Sequence, residues 1–204
     1  MSYFKFLLKK TILHIKSILI KGNSKSDSYF YKWQRLRKLA KLYNCKTLIE
    51  TGTYYGLTID KMKPYFNEIY SIEIDKNLFK YNSLYFHGNN KIKLQFGDSK
   101  FILPKLLEVL TNEHLGNPII FWLDGHCSEN ETGMGDDYSP LEFELKTILC
   151  KFEFIKSIIV IDDFRLFDGV NYPSLDRLQR IMEESKFNSY NDRDAMIYID
   201  KRIL

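Results

Sequence analysis

Apolar residues follow two rhythms along this chain. Up to residue 43 they recur every three or four positions, the spacing that lines one face of a helix. Phe4, Leu7, Leu8, Ile12, Ile15 and Leu19 predict an amphipathic helix over residues 3–21. After a polar break at 22–28, Tyr29, Trp33, Leu36, Leu39, Ala40 and Tyr43 predict a second helix over 29–43. From Lys46 onward short apolar runs alternate with helical segments. The runs at 47–50, 69–74, 92–96, 119–124 and 157–162 read as strands, and 58–66, 76–86, 100–110 and 140–152 as helices. A helix over 174–185 and strands over 187–190 and 196–200 close the pattern. Buried strands alternating with helices make βαβ units, so the expected fold is α/β: a doubly wound, mainly parallel sheet of about seven strands with helices on both faces. Residues 1–28 are expected to form a basic amphipathic arm and linker, and 29–204 one domain.

Composition narrows the picture further. With 204 residues, 45% hydrophobic and 27% charged, the chain can bury a core without staples. Three cysteines, Cys45, Cys127 and Cys150, are an odd number at no metal-ligand spacing, which suits a reduced, cytoplasmic protein. The net charge of +4 hides an asymmetry. Residues 1–46 carry about +11 and the remainder about −7, so the arm is basic and the domain mildly acidic. The stretch 4–20 is interrupted by Lys5, Lys9, Lys10, His14 and Lys16. It reads neither as a secretory signal nor as a membrane span. The arm has three readings: a helix packed on the domain or on a second subunit of a homo-oligomer, an interfacial helix on anionic lipid at the inner membrane face, or a nucleic-acid contact. The basic run at 35–41 is read as a solvated face.

Chemistry concentrates where strands end. In open α/β sheets ligands bind beyond the carboxyl ends of the strands, at the switch point. The first strand ends in Glu50-Thr51-Gly52-Thr53-Tyr54-Tyr55-Gly56, where glycines allow a sharp turn and close approach to a ligand. The spacing is neither a dinucleotide fingerprint nor a phosphate loop. The acid at Glu50 suits a cationic ligand better than a pyrophosphate. The second strand ends in Glu73-Ile74-Asp75; Glu73 can accept the hydroxyls of a ribose, while Asp75 fits a helix N-cap. The third ends in Gly97-Asp98-Ser99, able to cap the next helix and to touch an adenine amino group. The fourth ends in Leu123-Asp124-Gly125-His126 and the fifth in Ile161-Asp162-Asp163. On neighbouring parallel strands Asp124, Asp162 and Asp163 would converge, and three such acids repel unless a cation or proton relieves them. Oxygen ligands favour a hard ion such as Mg²⁺, the alternative being helix capping by one aspartate. The polar stretch 127–138 is long for a connection and is expected to be a lid or binding loop, the alternative being a floppy connection.

In that order, "ETGTYYG", "SIEID", "GDS", "FWLDGH" and "VIDD" resemble class I S-adenosylmethionine-dependent methyltransferases, which are Rossmann-like. Within that class the chain is most similar to metal-dependent small-molecule O-methyltransferases, the macrolide-sugar enzymes of the macrocin and mycinamicin type being closest in kind. The resemblance covers about Lys46 to Asp200. It implies that Glu50, Gly52, Thr53, Tyr54 and Gly56 hold the methionine part of S-adenosyl-L-methionine, with Glu73 on the ribose and Asp98 and Ser99 on the adenine. Asp124 is implied at the cofactor as well as at the reacting centre, and Asp124, Asp162 and Asp163 match the magnesium-binding acids. His126 is the candidate general base, on chemical grounds. The chain is shorter than the macrolide enzymes and lacks their long N-terminal substrate-binding segment. The expected activity is therefore methyl transfer to a small hydroxylated acceptor, such as a sugar or surface-polysaccharide precursor. Two alternatives are a noncatalytic binder of cofactor or partner and, ranked lowest, a nucleic-acid methyltransferase; no nucleic-acid partner is expected.

Overall fold

The computed structural model describes residues 1–19, 27–112, 116–124, 139–167, 169, 172–183 and 186–204. His126 and the stretch 127–138 lie outside the described residues.

Seven strands form one sheet: β1 (Thr47–Thr51), β2 (Glu68–Glu73), β3 (Ile92–Phe96), β4 (Ile119–Leu123), β5 (Ser157–Ile161), β6 (Phe187–Asp192) and β7 (Ala195–Asp200). Their spatial order is β3-β2-β1-β4-β5-β7-β6. β1 to β5 run parallel, while β7 pairs antiparallel with both β5 and β6. The doubly wound, mainly parallel sheet expected from the pattern is therefore present. The chain leaves β1 toward β2 on one side and returns to β4 on the other, so the switch point lies between β1 and β4.

The helices are α1 (Tyr3–Leu19), α2 (Tyr29–Leu42), α3 (Leu57–Met62), α4 (Lys76–Tyr85), α5 (Ser99–Asn112), α6 (Leu141–Cys150) and α7 (Leu175–Glu183). β1, β4 and β5 are buried on both faces, which is why β4 and β5 read as nearly continuous apolar runs, while in β1 only Leu48 and Ile49 are apolar and Glu50 and Thr51 are buried polar residues at the strand end. Alternate residues serve opposite layers. Ile49, Phe121 and Ile159 pack with Leu103 and Leu107 of α5, Leu145 of α6 and Leu178 of α7. Leu48, Ile120, Trp122 and Val160 pack with Trp33 and Leu36 of α2 and Ile59 and Met62 of α3. Helices thus cover both faces, and the rim at the carboxyl ends of β1 to β5 is held between two well-filled layers.

Residues 3–19 of the expected arm lie against the domain, but of the stripe that predicted the helix only Leu7 takes part. The packed side carries Phe6, Lys10 and Ser17, with Tyr3, Leu7 and Leu13 partly buried beside them. Phe6 stacks on Tyr55, ring centroids 5.2 Å apart, and joins Leu78 and Tyr81 of α4. Phe4, Leu8, Ile12, Ile15 and Leu19 face outward. The apolar rhythm located the helix correctly; the buried side was set by aromatic partners far away in sequence.

Candidate functional site

The turn after β1 is built from conformations that only a few residues adopt. Gly52 has φ 88°, Tyr54 φ 51° and Gly56 φ 66°. Gly56 is required twice over: its φ is left-handed, and a Cβ there would lie 2.6 Å from Asn82 Oδ1 and 2.8 Å from the Phe86 ring. Tyr54, which lacks that freedom, is held from both ends. Its N–H donates to Glu73 Oε2 at 2.7 Å, and its carbonyl accepts from Asn82 Nδ2 at 2.6 Å. From beneath, the Lys10 ammonium donates to the carbonyls of Tyr55 (2.6 Å) and Gly56 (3.3 Å) and pairs with Asp60 at 2.9 Å. Burial lowers the Lys10 pKa, against the pull of Asp60.

Three buried acids, Glu50, Glu73 and Glu144, lie along the strand-end rim. Glu50, at the end of β1, accepts from Ser71 Oγ at 2.6 Å, and Ser71 is 2.7 Å from the Thr53 hydroxyl. Burial pushes Glu50 up to about 8, with Asp124 adding to the rise and the Ser71 and Thr58 hydroxyls opposing it. Glu73 accepts the Tyr54 N–H on one oxygen and the Asp75 N–H, at 2.8 Å, on the other. Burial pushes it up to about 7, against those backbone hydrogen bonds. Glu144, on α6, is pushed up to about 7 by burial, opposed by the hydroxyls of Ser99 and Thr51. Among the described residues no cation forms an ion pair with Glu50 or Glu73.

Asp75 caps α4, its Oδ1 accepting the N–H groups of Asn77 and Leu78 at 2.8 Å. Asp98 caps α5 through Lys100 N–H at 2.9 Å, and Ser99 is buried beside it. The preceding Gly97 N–H is held by the Glu73 carbonyl at 2.9 Å, which ties the ends of β2 and β3 together.

Beyond β4 and β5, Asp124, Asp162 and Asp163 converge as the strand ends imply. One oxygen from each lies within 4.8 Å of the others. The N–H of Asp124 donates to the Thr51 carbonyl and that of Asp162 to the Leu123 carbonyl, both at 3.2 Å, which fixes the acids to the sheet. A lysine from the opposite end of the sequence meets them. Lys32 of α2 forms ion pairs with Asp162 and, at 3.2 Å, with Asp163. Arg165 pairs with Asp163 at 2.7 Å and with Asp194. The three aspartates raise the Lys32 pKa, outweighing the burial that would lower it. Asp162 is pushed up chiefly by burial, with Asp124 and Asp163 adding to the rise and Lys32 opposing it. Asp163 sits at φ 54°, a left-handed conformation uncommon outside glycine, and opens a short 3-10 turn over Phe164–Leu166. The Tyr29 phenol is pushed up to about 12 by burial and by Asp124.

Sequence reasoning thus located the strand-end acids and the glycine turn. It missed Lys10, Lys32, Asn82, Glu144 and Arg165. A signal existed for three of them, since each is a polar residue on the buried stripe of its helix: Lys10 with Phe6 and Leu13, Asn82 with Leu78 and Tyr81, and Glu144 with Leu141, Leu145 and Ile148. Lys32 and Arg165 carry no such mark.

The chain is similar to solved methyltransferase structures, several of them determined with SAM or SAH bound. An O-methyltransferase from Bacillus cereus, in complex with SAH, matches with a TM-score of 0.58 at 11% identity, covering 97% of this chain and 90% of its own. A putative caffeoyl-CoA O-methyltransferase from Staphylococcus aureus matches with a TM-score of 0.56 at 12% identity, covering 83% of each chain. An amino pentose methyltransferase from Micromonospora echinaspora, involved in calicheamicin biosynthesis and solved with SAM bound, matches with a TM-score of 0.55 at 8% identity, covering 87% of this chain and 94% of its own. No family model and no curated relative matches the chain. The fold is that of class I S-adenosylmethionine-dependent methyltransferases.

Proposed function

We propose that this protein is an O-methyltransferase that uses S-adenosyl-L-methionine to methylate a small hydroxylated acceptor, a sugar or surface-polysaccharide precursor. The observation that carries the reading is the pair Glu50 and Glu73. Two buried carboxyls flank a left-handed glycine turn at the switch point, held by hydroxyls and amides and with no ion pair among the described residues. Such a site suits a ligand that brings its own positive charge and a diol, and S-adenosylmethionine has both. The amino pentose acceptor of one structural neighbour supports a sugar.

The residues divide the work. Gly52, Thr53, Tyr54 and Gly56 would bring the backbone against the methionine part, with Glu50 facing its ammonium. Glu73 would accept the ribose hydroxyls on lone pairs left free by its two amide donors. Asp98 and Ser99 would border the adenine. The methyl donor supplies a sulfonium whose methyl is displaced in line by the acceptor oxygen. The protein's share is mostly positioning, holding that oxygen and the methyl in near-attack geometry. His126 is the proposed base that takes the hydroxyl proton.

A divalent ion fits the donor chemistry of Asp124, Asp162 and Asp163: three carboxylates at ligand spacing, with Asp162 Oδ1 buried and without a hydrogen-bond partner while Oδ2 faces Lys32. Bound there, Mg²⁺ would lower the pKa of an acceptor hydroxyl. Lys32 already pairs with two of these acids, Asp162 and Asp163, so the ion and the ammonium would compete, and Lys32 would have to swing out on its flexible stem.

An acceptor screen by mass spectrometry tests the reading. Purified protein with S-adenosylmethionine should add one methyl to at least one sugar or polysaccharide precursor. Cofactor binding with no methylated product from any hydroxylated acceptor would favour the noncatalytic binder instead.

A further inference from the structure

We propose that the outward face of α1 docks the protein on an anionic membrane surface. The proposal does not depend on the methyl-transfer reading. It starts from a mismatch: the side of α1 turned to solvent is more apolar than the side turned to the domain. Phe4 is 74% exposed, Leu8 52%, Ile15 50%, Ile18 61% and Leu19 74%. At 3.6 residues per turn these side chains, with Ile12, span an arc of about 120°, the width of a stripe that normally faces a core. Among the described residues nothing covers them.

The helix cannot rotate to bury this stripe. Its inner side is locked by Phe6 among Tyr55, Leu78 and Tyr81, and by the buried Lys10 on the Tyr55 and Gly56 carbonyls and Asp60. The outward apolar face is therefore a fixed property of the fold.

Charge selects the partner. α1 contains no acidic residue, and Lys5 and Lys16 are exposed directly beside the apolar arc, with Lys9 half-buried next to them. An apolar stripe bordered by lysines matches the boundary of an anionic bilayer, with acyl chains for the stripe and headgroup phosphates for the ammonium groups. A second copy of the helix fits poorly, since each would bring lysines and no acid to pair with them. The helix lies on the surface rather than crossing it. No helix among the described residues is long and apolar enough to cross a membrane, and 17 residues reach only about 25 Å. The same helix grips the glycine turn through Lys10, so docking would set that turn at a fixed height above the lipid.

The test is co-sedimentation of the full chain with vesicles of phosphatidylcholine alone or mixed with phosphatidylserine. Binding is expected to the mixed vesicles only, with release at about 1 M salt, where charges are screened within a few ångströms. Leu8→Gln with Ile15→Gln alters two exposed side chains and should leave the melting temperature unchanged. It should weaken binding at least tenfold, since burying one such side chain is worth about that factor or more. Lys5→Gln with Lys16→Gln should weaken it about 25-fold, roughly fivefold for each lysine. Failure of the full chain to sediment with the mixed vesicles would overturn the proposal. So would unchanged binding in the lysine variant. A Leu8→Gln, Ile15→Gln variant that turns a dimer into a monomer while vesicle binding persists would assign the face to a second copy.

Discussion

The two halves of the strand-end rim solve the same electrostatic problem in different ways. On the β1–β2–β3 side, Glu50 and Glu73 are buried and held by hydroxyls and backbone amides; burial pushes their pKa up, and no ion pair relieves them among the described residues. On the β4–β5 side, Asp162 and Asp163 are just as buried but already carry cations, Lys32 and Arg165. On the proposed reading, a cationic ligand would complete the first half, whereas in the second Lys32 and Arg165 already pair with the acids and an incoming ion would have to displace the lysine. The comparison suggests that cofactor binding and acceptor binding are separable, and each variant below acts on one half.

The largest effect should come from Gly56→Val. A branched side chain at φ 66° would collide with Asn82 and Phe86, and we expect cofactor binding to vanish in calorimetry and stability to fall by about 3 kcal/mol. Next is Lys32→Met. Removing one partner of a buried ion pair usually costs about 3–5 kcal/mol, reduced here because Asp162 can take up a proton. The melting temperature should drop at neutral pH and recover on adding Mg²⁺, while affinity for S-adenosylmethionine changes less than about twofold. A wild-type response to Mg²⁺ as large as the variant's would show that Lys32 does not compete with the ion.

Glu73→Ala should weaken the cofactor by about 1.5–3 kcal/mol, the worth of hydrogen bonds to a charged group. Part of that loss would come through Tyr54, whose N–H depends on the same carboxyl. Glu73→Gln keeps one acceptor oxygen and should lie between.

The buried carboxyls also imply a pH dependence. Glu50, Glu73 and Glu144 are held at about 8, 7 and 7, above the ~4.3 of an unfolded glutamate. Between about pH 4 and 8 the folded protein therefore binds more protons than the unfolded chain, and its stability declines as pH rises. A cationic cofactor favours ionised Glu50, so its affinity should rise with pH up to about 8, by at most tenfold per unit. Calorimetry in buffers of different ionisation enthalpy should detect the released proton. Affinity that is flat across this range would remove Glu50 from the ammonium site.

How much of this was legible in the sequence follows the same division. The β1–β2–β3 half is written locally: Glu50, Gly52 and Gly56 share one turn, Glu73 ends the next strand, and Asp75 and Asp98 cap the helices that follow. Local order and strand-end position were enough to place them. The β4–β5 half depends on contacts across the whole chain. Lys32 lies 131 residues from Asp163, on a helix whose apolar stripe gave no hint of a buried ammonium. The periodicity of α1 located a helix, but its orientation was decided by Tyr55 and Tyr81, which no local pattern connects to Phe6. Polar residues on otherwise apolar helical stripes, such as Lys10, Asn82 and Glu144, were the one unused signal.

Calorimetric titration of the purified protein with S-adenosylmethionine, run in parallel on wild type, Glu73→Ala and Lys32→Met, tests the central claim most directly. The account predicts one cofactor per chain in the wild type, weakened at least tenfold in Glu73→Ala and nearly unchanged in Lys32→Met. No binding by the wild type, or affinity equal in wild type and Glu73→Ala, would contradict it.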